Sequence, residues 1–179
     1  MITTKDALQR FEDTVTHYIH ELDPINLEQL KQRPSDIEWS IGQMVQHLIN
    51  SALYMHLRNL EQCLVASQDH PVLQTGKTER GVAVFAQGSF PPIRIQVPPS
   101  PQYTPEQPEN KEQLIQGLNT VIQRMKEIEP TLVQASKEHT MPHPSFGELC
   151  AEEWFLLVEM HYRHHLLQLD RLQQMLSLS

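Results

Sequence analysis

Ten histidines fall in 179 residues, and three of them sit in one short run, His161-Tyr162-Arg163-His164-His165. His161 and His165 are four apart. On a helix that spacing stacks two imidazoles one turn above the other, so both can offer a nitrogen to one ion. With Trp154 as zero and about 100° per residue, His161 falls at roughly −20° and His165 at roughly +20°. Val158, Leu172 and Leu176 lie within about 40° of the same line, whereas His164 lies on its flank near −80°. Two imidazoles on the midline of an apolar stripe cost free energy unless something satisfies them. A metal ion does so, and so do hydrogen bonds from backbone, tyrosine or water. Spacing leaves both readings open.

His47 is the natural third ligand, but periodicity does not decide its role. Its arc carries Gln43, Met44, Asn50, Ser51, Tyr54 and Arg58, offset from the apolar stripe of its helix. Such an arc suits either a solvated face or the wall of a polar pocket. His17, His20, His56, His70 and His139 lack a comparable pattern and read as surface residues. Cys63 and Cys150 form neither a CxxC knot nor a disulfide framework, and read as small hydrophobes. G-x-S-x-G, Walker-type, G-x-G-x-x-G and H-E-x-x-H motifs are absent.

Four helices must position these side chains. The first spans about 4 to 22, with Leu8, Phe11, Val15, Tyr18, Ile19 and Leu22 at helical spacing before Asp23-Pro24 ends it. A polar connection follows to about Ser35. The second helix runs from the Ser40/Gln43 capping box to about Val65, the third from Asn110 to about Ile128, and the fourth from Ala151 to Ser177. Pro130 ends or kinks the third, and 141–147 reads as a loop. Residues 66–110 hold eight of the 13 prolines, which excludes helix for most of that stretch. Within it, Ile93-Arg94-Ile95-Gln96-Val97 alternates as a short extended strand does. Phe85, Phe90 and Tyr103 suggest that the segment packs on the domain. The fold class expected is all-α: one four-helix bundle over 1–179, with 66–110 as an elaborated connection.

Hydrophobic residues make up 39% and charged residues 20%, a globular composition. Fourteen Lys and Arg against 22 Asp and Glu give −8, which disfavours nucleic-acid binding. The start of the chain does not resemble a secretory signal, and no apolar run approaches the roughly 18 residues of a membrane span. A cytoplasmic protein without membrane contact is expected.

Three segments resemble signatures of the DinB-like (YfiT-type) superfamily. Trp39-Ser40-Ile41-Gly42-Gln43-Met44-Val45-Gln46-His47-Leu48 is similar to its helix 2 signature, a Trp-Ser start with His-Leu eight residues on. His161-Tyr162-Arg163-His164-His165-Leu166-Leu167-Gln168 resembles the helix 4 pattern H-x-x-H-H-x-x-Q. His143-Pro144-Ser145-Phe146-Gly147-Glu148-Leu149, followed by Glu153-Trp154, resembles the lead-in of one branch. Cys150 departs from the Ser or Thr that often caps helix 4 there.

The resemblance implies an up-down-down-up four-helix bundle in which His47, His161 and His165 bind a divalent metal such as zinc, nickel or iron. His164 becomes a neighbour of that site, and His143 a group that approaches it from the loop. The resemblance further implies a metal-dependent enzyme acting on a small-molecule substrate, a low-molecular-weight thiol in S-transfer, with hydrolase or isomerase chemistry as relatives. The 66–110 segment would help wall the pocket. A different class of function is a non-catalytic bundle with structural histidines, acting as a homodimer or interaction module through Leu156, Met160 and Leu167. A metalloprotease-like hydrolase fits less well, because no glutamate lies between the paired histidines and Glu159 is off their midline.

Overall fold

A computed structural model describes residues 2–65, 76–95 and 100–177. Helix α1 (Thr4–Leu22) opens on a capping box in which Thr3 and Asp6 satisfy each other's backbone N–H, and it buries Phe11, Val15, Tyr18 and Leu22. The connection after it holds a five-residue helix, α2 (Leu27–Lys31), started by an Asn26 cap. Helix α3 (Ile41–Ser51) begins at the expected cap: Ser40 Oγ accepts from Gln43 N–H at 3.1 Å, and Gln43 Oε1 accepts from Ser40 N–H. A π turn over Ala52–His56 leads into α4 (Leu57–Val65), so α3, the turn and α4 form one long rod. Helix α5 (Glu79–Gln87) lies inside the Pro-rich crossover, capped by Thr78 and stopped by Gly88 at φ 63°. Helix α6 (Lys111–Ile128) follows the Asn110 cap and ends in a 3₁₀ stretch, Glu129–Gln134, with Pro130 in its first turn. Strands β1 (Thr140–His143) and β2 (Gly147–Cys150) pair antiparallel, Thr140 opposite Cys150. Helices α7 (Ala151–His164) and α8 (Leu166–Ser177) complete the chain.

The four rods close into a bundle. Helix α1 packs against α6 and α7, while the α3–α4 rod packs against α6 on one side and α7 on the other. One cluster of buried residues fills the centre, from Phe11 and Tyr18 through Leu48 and Leu60 to Leu118, Trp154 and Tyr162. Helix α7 is apolar nearly all round and is buried accordingly, from Trp154 to Met160. No helix among the described residues is long and apolar enough to cross a membrane.

Several expectations need correction. Residues 141–147 contain a β-hairpin, because Gly147 at φ 78° permits the tight reversal that lets 140–143 and 147–150 pair. The fourth helix is not continuous: it breaks at His165, whose ψ is −8°. Residues 93–95 belong to no strand among the described residues, and 96–97 lie outside them. Phe85 and Phe90 do pack on the core, but Tyr103 is exposed. Of Leu156, Met160 and Leu167, the first two are buried and Leu167 is exposed.

Candidate metal centre

His47 comes from α3, His161 from the last turn of α7, and His165 from the break before α8. The structure brings all three together. His161 Nε2 lies 3.2 Å from His47 Nε2 and 3.1 Å from His165 Nε2. One nitrogen from each, taken as a set, falls within 4.8 Å of the others. Zinc–imidazole bonds of about 2.05 Å at tetrahedral angles set nitrogens roughly 3.3 Å apart, close to the two short separations here.

The arrangement is poorly satisfied by the histidines alone. His165 Nδ1 donates to Gln168 Oε1 at 2.8 Å, which leaves its Nε2 a bare acceptor. His161 Nε2 faces two other imidazole nitrogens and has one proton at most to give. Its Nδ1 is buried without a partner among the described residues. Burial is the main influence on all three rings: it pulls His47 down to about 3 and His165 to about 4, and holds His161 well below its ordinary value, with the neighbouring histidines adding to each. At neutral pH the donors are therefore neutral imidazoles, the form a metal needs. His47 Nδ1 meets Ser51 Oγ at 3.4 Å, and with Gln168 this gives two of the rings an outer partner of the kind that fixes ring orientation. The donor set fits a divalent ion that accepts imidazole.

The ambiguity of the His47 arc is resolved by this geometry. His47 and Ser51 line a cavity of about 440 Å³ in front of the cluster, while Gln43 is buried under Pro105, donating to its carbonyl at 2.9 Å. Tyr54 and Arg58 face solvent. Trp39 packs its ring 4.9 Å from His47. The crossover supplies the cavity's outer wall through Phe90 to Ile95, with Phe90 in ring contact with His161 and His164.

That wall is fastened at two places. Thr78 N–H donates to Phe146 O and Glu148 N–H to Gly76 O, docking the approach to α5 on the hairpin. At the other end of α5, Arg163 donates to Gly88 O at 2.6 Å while its Nε holds the buried Glu159 carboxylate at 2.7 Å. His143 also lines the cavity. Its Nδ1 accepts from Ser145 and Phe146 N–H, and its ring stacks on Phe146 at 4.3 Å. Burial, then Arg80, lowers His143 to about 4.

His56 is the residue that sequence reasoning misplaced. It is buried, not a surface group, in ring contact with His161 and Trp154. On an unbroken α-helix it would point about 180° from His47. The π turn, in which Leu57 N–H reaches back to Ala52 O, takes up one extra residue and brings His56 to about 80° from His47. No sequence pattern announces such a turn. His17 and His20 are exposed as expected, His139 is half-buried, and His70 lies outside the described residues. Cys63 and Cys150 are free and buried; burial pushes the Cys63 thiol up to about 12, so neither is a nucleophile in waiting. Glu153 accepts from Cys150 N–H, doing from within α7 part of the work of a cap.

The fold and the site together define a four-helix bundle with three convergent histidines at one side of its core. The chain belongs to the DinB superfamily, whose family model matches residues 7–169 and whose members often bind metals. Among solved structures it is similar to TT2238, described as a four-helix bundle protein, at 18% identity. That likeness covers 94% of this chain and 99% of the other, with a TM-score of 0.56, and bears on the fold alone. No curated protein matches the chain.

Proposed function

We propose that the protein is a metal-dependent enzyme acting on a small-molecule substrate, with His47, His161 and His165 as ligands and a low-molecular-weight thiol as the group activated for S-transfer. The observation that carries this reading is the convergence of three neutral imidazole nitrogens that cannot satisfy one another, at the inner end of a cavity of about 440 Å³. A divalent ion held by three neutral ligands would keep its full charge and open positions, so it would stabilise a thiolate or lower the pKa of a water toward neutrality. Zinc, nickel and iron all suit an all-imidazole set.

The chain's own groups have separable tasks. Gln168 and Ser51 orient two of the rings. Phe90, Trp39 and Leu157 put apolar surface on the cavity wall, which would strengthen electrostatic interactions beside it. Among the described residues the carboxylate lining the cavity is Glu38, which is paired with Arg94, and Glu159 is tied to Arg163. A glutamate base for peptide hydrolysis is thus lacking among the described residues, whereas thiol activation needs none. The test is a conjugation assay. Protein loaded with zinc or nickel should accelerate attack of a cellular thiol on an electrophile such as monobromobimane, lose the effect with chelator, and regain it when metal returns. Equal rates with and without metal would count against the reading.

A further inference from the structure

The cavity has a charge that the histidine cluster does not account for. The chain carries −8 overall. Yet the ionised side chains lining the cavity, among the described residues, are Arg80, Arg94 and Arg171 against Glu38 alone. An acidic protein has built a cationic pocket, and has placed it where a metal cation would add to the same sign. A ligand that offsets this charge is an anion.

Arg80 stands beside Phe146 and His143, whereas the other two cations share a carboxylate elsewhere on the wall. Arg171 lies six residues beyond His165, about 9 Å along the α8 axis at 1.5 Å per residue. Arg94 comes from the crossover. Both guanidiniums meet one carboxylate: Glu38 pairs with Arg94 and lies 3.7 Å from Arg171 Nη2. Two cations sharing one anion leave a positive charge over. Arg171 Nε is in addition buried with no partner among the described residues, an unmade bond that costs free energy until an acceptor arrives. The planar fork of arginine matches a carboxylate. Between this pair and the histidines the cavity is lined by Trp39, which follows Glu38 in the chain and packs 4.9 Å from His47, and by Leu167 and Gln168, which lie between His165 and Arg171 in the chain.

We propose that the substrate is a small molecule with a carboxylate held between Arg94 and Arg171, joined by an apolar stretch to the group that reacts at the histidines. That the reacting group is a thiol rests on the function proposed above; the carboxylate subsite does not. The test compares 6-mercaptohexanoate with 6-mercaptohexan-1-ol, which has a neutral hydroxyl in place of the carboxylate. Binding is measured by calorimetry on the full chain, cobalt-loaded and metal-free, with thiolate-to-cobalt absorption followed in the loaded form. The acid should bind at least tenfold more tightly than the alcohol in both forms, about one charge-assisted hydrogen bond. Arg171→Gln and Arg94→Gln, each confirmed folded by its melting curve, should remove that preference; if one fails to fold, the other carries the test. Equal affinities, no binding of either compound, or a preference that survives in the folded variants would overturn the subsite. A preference that persists without thiolate-to-cobalt absorption would support the subsite and sink the thiol reading instead.

Discussion

His47 Nε2 and His161 Nε2 stand 3.2 Å apart although 114 positions separate the two residues in the chain. The contact exists because the α3–α4 rod packs against α7, although His161 Nε2, which faces two imidazole nitrogens, has one proton at most to give. A cluster of that kind has consequences beyond its three rings.

Gln168 is the partner that fixes the His165 tautomer. Gln168→Leu should keep the fold, since the side chain is only half-buried, but should weaken metal affinity by about 10- to 100-fold. Competition with a chromophoric chelator measures this directly. Unchanged affinity would mean that His165 needs no orienting group.

Acid should destabilise the metal-free protein. Burial, with His143 and His47 nearby, holds His56 at about 3 against an ordinary value of 6.5. Between those two values the unfolded chain binds a proton that the folded chain refuses. Stability therefore falls as pH drops through 6.5, the His56 share levelling off below about 3, with His47, His161 and His165 contributing in the same direction. Each such group gives a slope of up to about 1.4 kcal/mol per pH unit. Denaturant melts of chelator-treated protein from pH 7 to 4 should show the loss, and His56→Gln should show a shallower one.

How much of this was readable beforehand depends on the distance over which each signal acts. The helix 4 midline was legible because His161, His165 and Trp154 lie on one helix, where a fixed angle per residue applies. Ser40 and Asn110 announced their helices because a cap is a contact between residues three apart. The pairing of His47 with His161 needed the family signature, since no periodicity links two helices. His56 stayed hidden because a π turn depends on what packs against it. The hairpin and α5 hid in proline-rich, loop-like sequence: the pairing of Gly76 with Glu148 joins segments that no local pattern connects.

Arg163 joins the α7 core to the crossover. Arg163→Ala should leave the Glu159 carboxylate buried and unpaired, costing about 3 kcal/mol, the lower end for a broken buried pair because Arg163 itself is 37% exposed. Replacing both, as Glu159→Gln with Arg163→Met, should recover most of the loss in a denaturant melt. If the double variant is no better than the single, the Gly88 carbonyl contact is the greater part of Arg163's contribution.

Gly81 packs its α-carbon against the hairpin: an added Cβ would fall 2.3 Å from Phe146 O, a backbone atom that cannot swing aside. Gly81→Ala should push α5 off the hairpin at a cost of about 1–3 kcal/mol. Amide exchange should speed up at Thr78 and Glu148, whose N–H groups make the docking bonds, while α1 and α6 stay protected. Exchange that rises uniformly would show that the crossover does not loosen as a unit.

The central claim is tested most directly by elemental analysis of untagged protein after reconstitution and removal of excess metal. One divalent ion per chain is expected in the wild type, falling to a small fraction of that in His161→Ala, whose nitrogen lies between the other two. No stoichiometric metal in the wild type, or the same metal content in His161→Ala, would contradict it.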